Sequence, residues 1–220
     1  IDAAQIVGWL ELDLPRLGAD MVAFGGHKGL QGPWGIGGLY LSERARMECS
    51  AATCELTVAG TRETAPAHRP GYCDVGSVDQ FALAGLHAAI RGLRERNLGN
   101  ALADARRQVR RIRSALEQFD RLRFYGPADP GRGLPTLALA VSGFSSSEVA
   151  SRLRQHSLVV GSGLHCAPLA HQTMKTQGSG LVRLSIGLGQ PDDEIDEAID
   201  RLVSAFHKDF CHPQTGKSLH

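Results

Sequence analysis

Two short runs carry residue types that could do covalent chemistry together. One is Asp2-Ala3-Ala4-Gln5, answered further along by Gly25-Gly26-His27-Lys28-Gly29; the other is Gly163-Leu164-His165-Cys166-Ala167-Pro168. An isolated Asp or Lys is ordinarily a solvated surface charge. Lys28, however, follows directly on a short apolar segment, in a Gly-rich turn and with His27 before it, where a flexible solvated lysine has no purpose. A lysine at such a strand end can form a Schiff base with a carbonyl cofactor. Pyridoxal phosphate is one such group, and it needs a carboxylate on its ring nitrogen, a donor to its ring oxygen and donors to its phosphate. Asp2, Gln5 and His27 have the right chemistry for those three places. Cys166, beside His165 in a Gly-flanked loop, is placed to present an accessible thiolate as a nucleophile. The alternative is a buried structural thiol, which would sit on a strand or a helix.

Other suggestive runs fail on their context. Gly216-Lys217-Ser218 looks like the end of a phosphate-binding loop, but the upstream position that must be Gly is Cys211 and no helix follows. Gly35-Ile36-Gly37-Gly38 lacks dinucleotide-binding spacing and leads into a strand, which argues for close strand packing. Cys49 and Cys54 have no matching second pair, so no metal site is expected.

The elements that must position these residues read as an α/β protein. Asp20 to Phe24 and Gly35 to Leu41 are short, apolar and Gly-bounded, as in strands buried on both faces of a sheet. Residues 49–79 are rich in Gly, Pro, Thr and His with no period, too long for a passive connection and hence a functional loop. A helix is expected over 80–97, with Phe81, Ala84, Leu86, Ala88 and Leu93 as core candidates. A second, over about 98–120, places Leu102, Ala105, Val109, Ile112, Leu116 and Phe119 on one stripe and its arginines on the other, solvated face. Beyond it come a strand at 134–141, a helix opened by the capping box Ser145-Ser146-Ser147-Glu148, an apolar run at 158–160 and a strand at 181–188. The last helix opens at Pro191 with Asp192, Asp193 and Glu194 at its positive end and runs to about His207.

The chain has 220 residues, 42% hydrophobic and 21% charged, with 24 Lys+Arg against 23 Asp+Glu. A net charge of +1 gives no electrostatic pull towards nucleic acid or anionic lipid, so neither is an expected partner. No apolar run approaches the roughly 18 to 20 residues of a bilayer span, so no membrane association is expected. Five cysteines at irregular spacing read as reduced thiols of a cytoplasmic protein. The start at Ile1 has neither an initiator Met nor a signal-peptide pattern, and further sequence is expected upstream.

The pattern D-A-A-Q … G-H-K-G-L-x-G-P-x-G-I-G-G-L-Y resembles the cofactor segment of the class V aminotransferase-like pyridoxal-phosphate enzymes, specifically the cysteine desulfurases and selenocysteine lyases. The resemblance continues through Gly76-Ser77-Val78-Asp79, similar to the family's G-T-x-N segment. It extends to Gly163–Pro168, similar to the catalytic cysteine loop, and to Val182-Arg183-Leu184-Ser185, similar to the strand carrying the substrate-carboxylate arginine. It implies fold type I of the pyridoxal-phosphate-dependent transferases. Residues 1–85 would be the second half of the large, mainly parallel cofactor domain, and 86–220 the small C-terminal α/β domain.

By the same resemblance, Lys28 links covalently to pyridoxal 5'-phosphate and later moves the Cα proton. Asp2 keeps the ring nitrogen protonated, Gln5 holds the ring oxygen and His27 faces the phosphate, while Ser77 reaches the phosphate of a neighbouring subunit in a homodimer. Cys166, with His165 beside it, takes sulfur from L-cysteine as a persulfide and leaves alanine. Arg183 offers a rigid bidentate fork for the amino-acid carboxylate. The implied partners are L-cysteine or selenocysteine and a sulfur-acceptor protein. Alternatives are a selenocysteine lyase, another carbon–sulfur lyase or aminotransferase, or an inactive fragment or interaction module that keeps the fold. The sequence departs from the family's pattern at Gly25, where Ser or Thr is common, at Asp79 in place of Asn, and at Gly161 in place of Arg. It corresponds to the C-terminal half of the family's chain.

Overall fold

The computed structural model describes residues 1–46 and 78–210. Ser77, Cys49, Cys54, Cys73, Cys211, most of the loop expected over 49–79 and the Gly216-Lys217-Ser218 run lie outside the described residues. The chain forms two compact units, Ile1–Gly99 and Asn100–His220.

In the first unit, strand β1 (Met21–Gly25) pairs antiparallel with β2 (Gly37–Leu41), Met21 opposite Leu41 and Gly25 opposite Gly37. The chain's first residues run parallel along the other edge of β1: Ala3 N–H donates to Ala23 O at 2.8 Å and Ala23 N–H to Ile1 O at 3.0 Å. Val22 and Phe24 turn towards Val7, Leu10, Leu12 and Leu14, which cover that face. The opposite face is open, with Met21 44% and Leu39 56% exposed. Burial on both faces, expected from the apolar runs, is therefore not found; apolar composition reports what a strand could bury, whereas burial depends on what covers it.

A short helix, α1 (Leu14–Leu17), is capped by Asp13, and α2 (Gln80–Arg94) by Asp79, whose carboxylate accepts from Ala82 N–H at 3.0 Å. The core stripe of α2 is Ala82, Leu86 and Leu93. Phe81, Ala84 and Ala88, expected inside, are exposed, because the buried face is set by the 82–86–93 spacing and Phe81 precedes it by a quarter turn.

The second unit takes in all but the first two residues of α3 (Leu98–Leu116), whose expected stripe is buried throughout, Phe119 just beyond it included. An antiparallel sheet follows in the order β3-β4-β6-β5, built from β3 (Leu122–Tyr125), β4 (Thr136–Val141), β5 (Gly161–Gly163) and β6 (Leu181–Ser185). The strands at 134–141 and 181–188 are thus shorter than expected. The run at 158–160 is not a strand, and Val159 is exposed; the edge strand starts at Gly161 instead. Between strands lie α4 (Ser146–Gln155) and α5 (Pro168–Thr173). Helix α4 opens on the capping box, Ser145 N–H donating to Glu148 Oε2 at 2.7 Å and Glu148 N–H to Ser145 Oγ at 3.3 Å.

The chain continues through α6 (Asp192–Ala205) into a wide helical turn, Phe206–Phe210. Leu139 and Val182, opposite one another in the register, are fully buried with Leu116, Leu153, Ile195, Leu202 and both phenylalanines of that turn. The basic face of α3 is not merely solvated. Arg107 pairs with Asp192 at 2.9 Å and Arg111 with Asp196, while Gln108 Nε2 donates to Asp192 Oδ1 at 2.8 Å. The Gln108 bond, and then the Arg107 guanidinium, hold the Asp192 carboxyl below its ordinary range.

Candidate functional site

Of the expected cofactor residues, Asp2, Gln5, His27 and Lys28 lie in the first unit. Asp2 bridges to Ala23 of β1, and its Oδ1 accepts from Ala4 N–H at 2.8 Å, which fixes the carboxylate at the strand edge. The segment then turns across the loop after β1. The backbone of Gly8, at φ 94°, lies so close to Gly29 that an added Cβ would fall 2.1 Å from the Gly29 carbonyl carbon. Only glycine allows that approach. The turn carrying Asp2 and Gln5 is thereby locked to the turn carrying His27 and Lys28.

The loop itself is closed by Gly26 N–H to Ile36 O, Gly32 N–H to Gly26 O and Gln31 N–H to Lys28 O, each 2.8 Å. Lys28 and Gln5 are exposed, and no carboxylate pairs with the lysine among the described residues. His27 is half-buried, and its ring stacks on Trp34, centroids 4.2 Å apart and planes 18° apart. An amine and an imidazole on one closed loop, with a fixed carboxylate on the turn locked to it, form a donor set that suits a carbonyl cofactor bearing an anionic group.

His165, Cys166 and Arg183 lie in the second unit. His165 Nε2 and Leu181 O are 2.9 Å apart. A carbonyl only accepts, so Nε2 carries the proton and Nδ1 keeps its lone pair. The ring lies over Gly161, where a Cβ would come 3.2 Å from His165 Cε1, and Gly161 pairs in register with Arg183. Burial first, then the nearby charges of Arg183 and His171, push the His165 pKa down against the opposing Leu181 carbonyl.

Cys166 is exposed and free, at φ 60° directly after His165 at φ 50°, two consecutive residues in the left-handed region. No hydrogen bond joins its thiol to His165 among the described residues. Arg183 sits on the sheet face away from the core, opposite Ala138, and its buried Nε has no hydrogen-bond partner among the described residues. Beneath the cysteine loop, a cavity of about 370 Å³ is lined by Tyr125, Leu137, Ala167, His171, Met174 and Leu181.

Sequence reasoning missed two residues, one beside each group of candidates. His171 is buried on α5, with Thr176 Oγ1 2.8 Å from its Nδ1. Trp34 had a usable signal: a large aromatic in a Gly-Pro turn has no apolar stripe to join. Ser77 lies outside the described residues.

A lowered His165 pKa has a testable consequence. The unfolded chain takes up this proton at a higher pH than the folded one, so stability should fall as pH drops through and below about 6.5 and be unaffected by this group above it. Thermal melts at pH 7 and pH 5 should show a smaller loss for His165→Gln than for the unmodified protein. Equal losses would mean that His165 does not contribute.

The sequence model of the family described as aminotransferase class-V matches residues 1–198. The chain belongs to this family. Among curated relatives, it is 29% identical over 202 residues to a probable cysteine desulfurase of Pyrococcus abyssi, covering 89% of this chain and 49% of the relative. It is 31% identical over 207 residues to a cysteine desulfurase of Serratia proteamaculans, covering 90% and 48%. The apo structure of a cysteine desulfurase from Thermococcus onnurineus superposes with a TM-score of 0.78 at 30% identity, over 92% of this chain and 51% of that one. A cysteine desulfurase from Escherichia coli, at 22% identity and a TM-score of 0.76, shares the fold. The chain spans about half the length of the curated relatives it matches. The fold is α/β, of the pyridoxal-phosphate-dependent fold type I, and the class-V family depends on pyridoxal 5'-phosphate. No described helix is long and apolar enough to cross a membrane.

Proposed function

We propose that this chain carries the sulfur-transferring half of a cysteine desulfurase, with residues 1–85 belonging to the large cofactor domain and 86–220 to the small domain. The observation that carries the reading is a free, exposed Cys166 in the family's cysteine loop, in a chain whose β1 loop presents Lys28 without an ion-pair partner among the described residues. Relatives named as cysteine desulfurases support it.

Lys28 would hold pyridoxal 5'-phosphate covalently, with Asp2 at the ring nitrogen, Gln5 at the ring oxygen, and His27 and the partner-reaching Ser77 at the phosphate. When bound, the cofactor supplies an electron sink. Arg183 binds the substrate carboxylate through its guanidinium, whose unpartnered Nε leaves a donor to satisfy. Lys28 moves the proton at Cα. The Cys166 thiolate attacks the substrate sulfur: the carbon–sulfur bond breaks, a sulfur–sulfur bond forms, and the electron pair left on carbon takes up a proton. L-cysteine and the enzyme thiol thus become L-alanine and the enzyme persulfide, which an acceptor protein then discharges. His165, neutral and tied to Leu181, anchors the cysteine loop to β6. The working form is a cytoplasmic homodimer.

The test is alanine release from L-cysteine by the purified chain supplied with pyridoxal 5'-phosphate, in parallel with selenocysteine. Because the sheet face bearing Met21 and Leu39 is open, the chain by itself should associate and turn over below about 1 s⁻¹, the low end of ordinary enzymes. Turnover of selenocysteine alone would replace the reading with a lyase. Cofactor bound without any alanine would overturn it.

A further inference from the structure

We propose that His171 is a positioning residue for Cys166: its buried hydrogen bond to Thr176 holds α5 and thereby fixes the backbone turn that presents the thiol. The proposal rests on the reading above only in taking Cys166 as the thiol that receives sulfur.

Strands β5 and β6 pair Gly163 with Leu181, so residues 164–180 leave the sheet and return to it as one closed excursion. Its burial pattern is inverted. Leu169 is 76% and Met174 50% exposed, while the only residues buried within 164–179 are His171 and Thr176. Leucine or methionine ordinarily seats a short helix, and histidine does not. A helix of six residues is too short to stand alone, so α5 depends on what holds it. Apolar packing does little of that. The cavity of about 370 Å³ is lined by Ala167, Ala170 and Met174 of the excursion and by Tyr125, Thr136 and Ala138 of the sheet, and a void forfeits the contacts that would otherwise be made there.

Hydrogen bonds hold the excursion instead. His165 Nε2 ties its start to Leu181 O at 2.9 Å, and Ala167 N–H donates to Leu164 O at 2.8 Å around Cys166. At the far end, Thr176 Oγ1 lies 2.8 Å from His171 Nδ1, the one hydrogen bond between two side chains within 164–180 among the described residues. The Thr176 hydroxyl has no other acceptor among those residues, so it donates and Nδ1 accepts. The same pair is closed a second time through the backbone, Thr176 N–H donating to His171 O at 2.9 Å. His171 N–H in turn donates at 3.1 Å to the carbonyl of Ala167, the residue after Cys166. Between these two anchors, His165 and Cys166 stand at φ 50° and 60°. Non-glycine residues keep such a backbone only where the surrounding structure over-determines it. Without the His171 anchor the turn is held from one side, and the thiol stays exposed but leaves its place.

The test uses the whole chain, supplied with pyridoxal 5'-phosphate for the rate measurements. Thr176→Val keeps the side-chain shape and deletes the donor. It should speed amide hydrogen exchange over 164–173 by about 3- to 10-fold, the scale of one neutral hydrogen bond, with no change over β3 and β4. Persulfide formation at Cys166 from L-cysteine should fall in kcat by about 10-fold or more, with KM within about twofold, because displacing a reacting atom slows the reaction without removing a substrate contact. Alkylation of Cys166 by iodoacetamide, which needs only an exposed thiol, should stay within about twofold. Thr176→Ser, which restores the hydroxyl, should return exchange and kcat to within about twofold. In His171→Leu/Thr176→Val both polar partners are gone, so the thermal midpoint should recover towards the unmodified value while kcat stays low.

Exchange over 164–173 that does not respond to Thr176→Val would overturn the proposal. So would recovery of kcat together with the thermal midpoint in the double variant, which would make the bond a matter of stability alone. An equal fall in alkylation and in persulfide formation would assign the effect to the reactivity of the thiol and would also overturn it. Faster exchange confined to 164–173 and reversed by serine, in a chain that forms no persulfide even unmodified, would keep His171 as the positioner of the thiol turn and discard the proposed function. A persulfide on Cys166 with kcat indifferent to Thr176 would do the reverse.

Discussion

Cys166→Ser should lower sulfur transfer from L-cysteine by about 10³-fold or more, and should leave pyridoxal 5'-phosphate bound with its absorbance intact. The size follows from the chemistry. A thiol is partly ionised near neutral pH and its anion attacks sulfur readily, whereas a serine hydroxyl has neither property without a base to activate it. The nearest candidate base, His165, is committed through Nε2 to Leu181 and has no hydrogen bond to residue 166. Cofactor retention follows from the proposed roles: the amine and donors assigned to the cofactor are those of Lys28, Asp2, Gln5 and His27, and none of them is changed. Alanine release, persulfide mass on tryptic peptides and the visible spectrum should be measured on the same preparation. Transfer at the unmodified rate, or a persulfide mapped to Cys49, Cys54, Cys73 or Cys211, would remove Cys166 from the role.

Lys28→Ala should have an effect of equal size by a different route. It should eliminate covalent cofactor attachment altogether and reduce alanine formation by about 10³-fold or more, because the proposed role gives Lys28 both the anchoring amine and the proton transfer at Cα. Borohydride reduction of the unmodified chain with cofactor, followed by peptide mapping, should place the pyridoxyl group on Lys28. The local structure supports this selectivity: Lys28 is exposed on a loop locked to the turn bearing Asp2 by the Gly8–Gly29 contact. A label on Lys175, Lys208 or Lys217 would contradict the assignment. So would a variant that still forms the reducible link.

What the sequence disclosed depended on how local each determinant was. The α3 stripe and the Ser145 capping box are written in positions three and four apart, and both appear where periodicity put them. Membership of the class-V family was readable because its motifs are short, ordered and chemically constrained. Burial of β1 and β2 was misjudged because the covering surface is not encoded in the strand. Phe81 was misjudged because hydrophobicity alone cannot choose between neighbouring helix faces. The His27–Trp34 stack, the lie of His165 over Gly161 and the pairing of α3 arginines with α6 acids all depend on tertiary path or on contacts distant in sequence, and no periodicity announces them.

The left-handed backbone at His165 and Cys166 bears on which substitutions can be read as chemistry. Each residue in that region carries a steric cost of about 1 to 2 kcal/mol, relieved most by glycine and partly by asparagine, and raised by branching at Cβ. Serine keeps the single unbranched Cβ of cysteine and so changes the nucleophile while keeping the backbone demand. Threonine or valine at 166 would confound a lost thiol with a rebuilt loop, and glycine would loosen the loop while deleting the sulfur. The same reasoning ranks library designs around this turn: small unbranched residues at 165 and 166 preserve the loop's geometry, and diversity introduced there by β-branched residues would select for refolded loops before it selected for reactivity.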